Sequence, residues 1–490
     1  RFNVQRVLGP KIYDVVDAMS PGGSGDPFAG LNTHQREELA ALYRLGYPRG
    51  DEFMIAQQMG QIWLWCSMAA RISNEDPYFK AFWTEPGHVG VDQPELVADD
   101  LIDIRTVVAR TLKAKDILED PEFATPEFRE LRGMAGLFAS MNDMMDMDMA
   151  IQLEDVPEGY LLGAGVQFLD GQAAGRQLYC MNGVRNVLLC DGEGEASNLR
   201  FTGVLPGDSV QLDNRAFLAY CYYCRHHNWD TFQFDFLRVD GQPINRQYEG
   251  PLMSAFMGVP HTGRFDGKMI WVHHTHDASL WPSQGLGMKD NVEKEYGPEE
   301  AHTRFRLRWT ENAEHVPPNM AVSPPARHNS TWLIDYFPVI EQCLVDLAAW
   351  VEQGVDPGDT SFEMIDGQVL LPTKAAERGG IQPVLRVTAN GAERAEITVG
   401  DEVAIEVHAE VPAGAGTIVG VKWDFDGSGQ YPEVVPVDGT QTEVTLATSH
   451  RYDRPGTYFV TALVESHRDG DVQARFRRIP NVGSARVVVS

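Results

Sequence analysis

Two side chains are spaced for acid–base work. Asp277 follows the apolar run MIWVHH (Met269 to His274), and His315 follows RFRLRW (Arg304 to Trp309) in the loop TENAEHVPP. A histidine so placed takes the proton of a nucleophile and hands it to the leaving group. A carboxylate beside it fixes the ring tautomer and stabilises the imidazolium that forms. The stretch HHTHD offers a rival chemistry, because His274 and His276 share one face of a strand and zinc accepts such ligands beside Asp277. The two-His, spacer, Asp-His pattern of metallohydrolases is not met, and no second cluster supplies the missing ligands. We therefore prefer the acid–base reading, with structural histidines around the acid and no metal or other cofactor. Cys221 and Cys224 in AYCYYCRHH, followed by His226 and His227, form a second zinc-like pattern that also lacks a partner pair.

Such residues need strand ends that aim them at one edge of a sheet. The 38 residues from Asp277 to His315 leave room for a loop, one helix and one strand, and a helical stretch lies at about Asn291 to Glu299. A long helix follows in STWLIDYFPVIEQCLVDLAAWVEQG (Ser330 to Gly354), stopping at Gly354 before Pro357. Residues 229–365 thus carry α/β patterning, as the closing part of such a fold. Residues 1–150 are expected to be a helical cap: THQREELAALYRLGY with Thr33 as N-cap, EFMIAQQMGQIWLWCSMAARI, and PELVADDLIDIRTVVARTLKA (Pro94 to Ala114). Trp63, Trp65, Phe82 and Trp83 in this cap hint at an apolar or aromatic substrate. Residues 157–228 alternate as short strands divided at Asp170-Gly171 and Asp191-Gly192, a β insertion in which Cys180 and Cys190 flank a hairpin and could bridge it. Residues 366–382 look like a linker, and 383–490 are all-β with the strand spacing of a sandwich.

HHTHDASLWPSQG, TENAEHVPP and DLAAWVEQGVDP together resemble the C-terminal part of an α/β-hydrolase of the tannase and feruloyl-esterase type, over about residues 260–365. The resemblance implies a secreted serine esterase with a Ser-Asp-His triad in which Asp277 is the acid and His315 the base. The chain departs from that family in having no G-x-S-x-G elbow anywhere. In that fold the serine precedes the acid in the chain. Ser67 in WLWCSMAAR and Ser254 in GPLMSAFMG are in-chain candidates, each without flanking glycines. The chain opens on Arg1-Phe2-Asn3, which excludes an N-terminal nucleophile and, with no initiator Met, suggests a product cut from a longer precursor. The expectation is an N-terminal partner polypeptide that bears the serine and the first strands.

WDFDGSGQ (Trp423 to Gln430) and SHRYDRPGTYFVTALV (Ser449 to Val464) resemble the PKD family of immunoglobulin-like domains, over about residues 383–490. That resemblance implies an extracellular spacer or docking module. Asp424 and Asp426, with Ser428 and Glu433, are candidate calcium ligands; a plain Asp-Gly turn is the competing reading.

A net charge of -29 argues against nucleic acid or an anionic membrane as partner. No run approaches the roughly 18 apolar residues that a membrane span needs. The expectations combine into a secreted or periplasmic α/β-hydrolase subunit with a helical cap, a β insertion and a C-terminal sandwich. It would act on a small-molecule ester, or less readily an amide. The alternatives are a non-catalytic extracellular binding or assembly protein, and a zinc hydrolase built on HHTHD.

Overall fold

The computed structural model describes residues 2–56, 69–71, 73–142, 145–146, 148–192, 196, 199–226, 238–239, 242–243, 262–321, 323–324 and 326–490. The chain forms two compact units, one of residues 1–9 and 55–259 and one of 10–54 and 260–490. It is a mixed fold, and its C-terminal part is all-β, with a three-stranded and a five-stranded sheet. No helix among the described residues is long and apolar enough to cross a membrane.

The first unit is organised by a closed barrel of β1 (Asp103–Lys113), β2 (Asp148–Leu153), β3 (Gly165–Phe168), β4 (Gln177–Val184), β5 (Val187–Asp191) and β6 (Ser209–Asp213). Its order is β1-β2-β5-β4-β3-β6, and β6 closes antiparallel on β1 from Asp103↔Asp213 to Val107↔Ser209. Closure leaves no edge strand to protect. The barrel is filled by Val108, Ile151, Leu153, Val166, Phe168, Leu178, Leu188 and Leu212, so it is a packed core. Here the structure corrects the sequence reading twice. The segment expected as a helix over Pro94–Ala114 holds β1, because Ile104, Thr106, Val107 and Val108 are β-branched and the strand pairs with β6 along its first half and β2 along its second. The β module accordingly begins at 103, inside the expected cap. The Asp170-Gly171 turn is a genuine one: Gly171 has φ 69, and a Cβ there would lie 2.3 Å from Asp208 Oδ1. Cys180 and Cys190 are register partners on β4 and β5 and stand as buried thiols. Phe82 is packed against Trp83, His88 and Tyr222, so this aromatic group serves as core.

In the second unit α1 (Thr33–Arg44) starts with a capping box. The cap is Asn32, whose Oδ1 accepts the Gln35 N–H at 2.9 Å, one residue before the expected Thr33. The strand β7 (Met269–His274) leads through α2 (Pro282–Tyr296) and α3 (Pro298–Arg304) to β8 (Phe305–Thr310). β7 and β8 pair in parallel, in register from Met269↔Phe305 to His274↔Thr310. β8 is buried along its whole length, Arg306 and Arg308 included. α4 (Phe337–Glu352) follows, starting seven residues later than the Ser330 read from sequence. Asn329–Thr331 forms a separate 3₁₀ turn first, and Pro338 sits in the first turn of the helix that follows.

The sandwich stacks the sheet β11 (Val384–Ala389), β13 (Glu402–Glu410), β16 (Glu443–Arg451) on a five-stranded sheet. That second sheet runs β12 (Arg394–Ile397), β18 (Ile479–Val489), β17 (Gly456–His467), β14 (Thr417–Asp424), β15 (Glu433–Val435). Strict alternation along β13 buries Val403, Ile405, Val407 and Ala409 against Trp423 of the facing sheet. The segment expected as a linker is packed instead. It contains the short strand β10 (Gln368–Leu370), which pairs with β9 (Glu363–Ile365) just before it, and Arg378 in it pairs with Glu311 at 2.6 Å while almost fully buried. Gln382 accepts the Glu311 N–H at 2.7 Å and donates to Pro480 O at 3.0 Å. Val339 and Cys343 of α4 join the sandwich core, so the domain is fastened to the β7–β8 layer.

Candidate functional site

Asp277 and His315 emerge from the C-terminal ends of β7 and β8, and their side chains meet. His315 Nδ1 lies 3.1 Å from Asp277 Oδ2. The other carboxylate oxygen accepts the N–H groups of Ser279 at 2.9 Å and Leu280 at 2.6 Å, which fixes the acid in its own turn. Donation from Nδ1 leaves Nε2 as the ring atom able to accept a proton. The Asp277 side chain is 6% exposed and that of His315 31%, so the acid is sheltered and the base reaches solvent. The hydrogen bond to Asp277 raises the His315 pKa above its ordinary value, against the opposing effect of burial.

Two residues that the sequence reading did not single out hold this pair. Glu314 is buried, and its carboxylate accepts the Ala278 N–H at 2.7 Å and the Val316 N–H at 3.3 Å, joining the acid loop to the base loop. The Tyr336 hydroxyl donates to His315 O at 2.9 Å. Backbone bonds from Thr275 N to Thr310 O and from His276 N to Ala313 O complete the attachment. The turn after β8 passes through Asn312 at φ 57, whose amide donates to Asn481 Oδ1 and Val482 O, both at 2.8 Å. Glutamate next to histidine is a sequence signal that was available; Tyr336, 21 positions beyond His315, carried none.

The neighbouring histidines are held apart from one another. His273 Nε2 lies 3.1 Å from Trp281 O, and burial lowers its pKa. The His274 ring stands 4.4 Å from Tyr336, and His276 Nδ1 lies 3.0 Å from Thr275 Oγ1. Burial pushes both down to about 4, so both are neutral at pH 7. Among the described residues no group of three His, Cys, Asp or Glu side chains is placed to hold a metal ion. Asp424 is committed to its own turn. Its Oδ1 accepts the N–H groups of Asp426 and Ser428 at 3.2 Å each, and its Oδ2 accepts that of Gly429. Asp426 Oδ1 accepts the Ser428 N–H at 3.1 Å, the hydrogen bonding of an Asp-Gly turn. Ser67, Ser254, Trp63, Trp65 and His227 lie outside the described residues, as do the side chains of Cys224 and His226.

No family model matches the chain, and no curated protein matches it. Solved structures similar to it include the CARDB domain of a Pyrococcus furiosus protein in complex with di-metal ions. That domain is 18% identical, with 22% of this chain and 92% of that chain covered and a TM-score of 0.18. A solution NMR structure of the same CARDB domain is 23% identical, covering 22% and 95% with a TM-score of 0.17. The PKD domain of an M14-like peptidase from a Thermoplasmatales archaeon is 18% identical, covering 22% and 92% with a TM-score of 0.15. Likenesses this small carry no argument about activity, and the sandwich stands on its own strand pairing. None of them bears on the β7–β8 layer.

Proposed function

We propose that this chain supplies the acid and the base of an exported serine hydrolase of the α/β-hydrolase fold, acting on an ester rather than an amide. The observation that carries the reading is the 3.1 Å contact between a sheltered Asp277 and a solvent-reaching His315 at adjacent ends of two parallel strands. In the reaction His315 Nε2 takes the proton of a serine hydroxyl as its oxygen attacks the ester carbonyl. It then returns that proton to the leaving alcohol, and the resulting acyl-serine is cleaved by water through the same two transfers. Asp277 stays ionised and stabilises the imidazolium.

The serine comes from a partner polypeptide that completes the sheet. Two features support a partner. Among the described strands β7 pairs only with β8, and a parallel sheet of two strands is not a stable unit in water. α4 also exposes Phe337, Leu344, Val345 and Val351 on its outer side. Intact-mass measurement of the native preparation after fluorophosphonate treatment tests the proposal. An adduct on a copurifying chain is the expected result. An adduct on this chain would move the nucleophile here, and no adduct on any chain would end the serine mechanism.

A further inference from the structure

Arg327 lies between the His315 loop and α4, beside the sandwich. Its guanidinium carbon is 5.6 Å from the centre of the Trp332 ring and 5.0 Å from that of Phe459. Other sheltered arginines of this unit have carboxylate partners: Arg308 holds Asp346 at 2.6 Å, Arg378 holds Glu311 at 2.6 Å, and Arg486 holds Asp17 at 2.9 Å. Arg327 makes no hydrogen bond or ion pair with any described residue. The charge that bears on it most is a like one, Arg486, whose guanidinium carbon lies 5.2 Å from the same Phe459 ring. Burial first, and Arg486 second, push the Arg327 pKa down to about 9. A partly buried charge without an ion-pair partner is less well stabilised than a paired one, and two aromatic faces offset only part of that difference. The side chain is half-buried and its donors are not sealed from solvent.

We propose that Arg327 is a binding site for a small carboxylate. The fork of guanidinium donors matches the two oxygens of that group. The rings on which it rests are themselves fixed: Trp332 is buried and donates its indole N–H to Gly50 O at 3.2 Å, and Phe459 is buried in β17. A monoanion fits better than a dianion such as phosphate, because the second cation nearby is already spent. The Arg486 guanidinium donates to Asp17 Oδ1, Asp17 O and Pro21 O. The site adjoins the strand end that bears Asp277. Arg327 acts electrostatically on His276, whose ring is 6.4 Å from that of Trp332. Use of the site to seat an acid group on the hydrolysed substrate rests on the hydrolase reading; carboxylate binding itself does not.

The test is titration of the full chain with sodium benzoate and sodium acetate at constant ionic strength, followed by tryptophan fluorescence. Sodium chloride serves as the reference salt. Saturable quenching is expected in the wild type, with an apparent Kd about tenfold or more weaker in Arg327→Met. Arg327→Lys should lie between, since a point charge remains without the fork. Absence of saturation in the wild type overturns the site, whatever the variants do. So does an equal response to chloride, or unchanged binding in a folded Arg327→Met. A chain that binds benzoate yet gives no fluorophosphonate adduct would retain the site and lose the hydrolase.

Discussion

Asp277 spends one carboxylate oxygen on its own turn and the other on His315, and that division governs what each residue can do. Asp277→Asn keeps the shape but allows the wrong ring tautomer, so fluorophosphonate labelling should slow by about a thousandfold or more. The base must be neutral to act. Because Asp277 raises the His315 pKa, the labelling rate should climb with pH around a midpoint above 6.5. Stability has the opposite dependence at this residue. A raised folded pKa contributes fully below the unfolded value near 6.5, and that contribution is lost as pH rises through the folded value. His274 and His276 act in the other sense, since both are depressed to about 4. Their contribution is present above pH 6.5 and is lost as pH falls toward 4, because the unfolded chain takes up protons first. Thermal melts across that window should show Tm falling with acid, and His274→Phe should flatten the fall. Asp277 and His315 were legible because each is a polar residue in the loop that follows a strand-like run. Glu314 could have been noticed beside His315, but its bond to Ala278 depends on two loops meeting.

At the scale of elements, β7 and β8 were readable from MIWVHH and RFRLRW, whose β-branched and aromatic residues suit strands. β1 was not, because IRTVVARTL also meets helical spacing, and the strand that decides the matter, β6, lies about a hundred positions away. The linker over 366–382 was misjudged for a similar reason. Its buried Arg378 has its partner, Glu311, 67 positions upstream. Arg378→Met would leave Glu311 without that cation and should cost about 3 kcal/mol, visible as a lower midpoint in urea unfolding. In the barrel, Cys180 and Cys190 face each other across β4 and β5. In an exported chain they are expected to be oxidised to a disulfide, and peptide mapping without reductant checks this. Recovery of both as free thiols would speak against passage through an oxidising compartment.

For the molecule as a whole, the sequence showed that Asp277 and His315 follow two strands and that residues 383–490 form a sandwich. It held no sign of the six-stranded barrel as a closed object, since closure is a property of pairing between distant strands. The charge of -29 disfavours nucleic acid and anionic membrane surfaces as partners. The most direct measurement compares fluorophosphonate labelling of the native preparation with that of one carrying His315→Ala. A serine adduct on a copurifying chain, formed about a thousandfold or more faster with wild-type His315, is the expected result. Labelling at the same rate in both, or none in either, would contradict a serine hydrolase that draws its base from this chain.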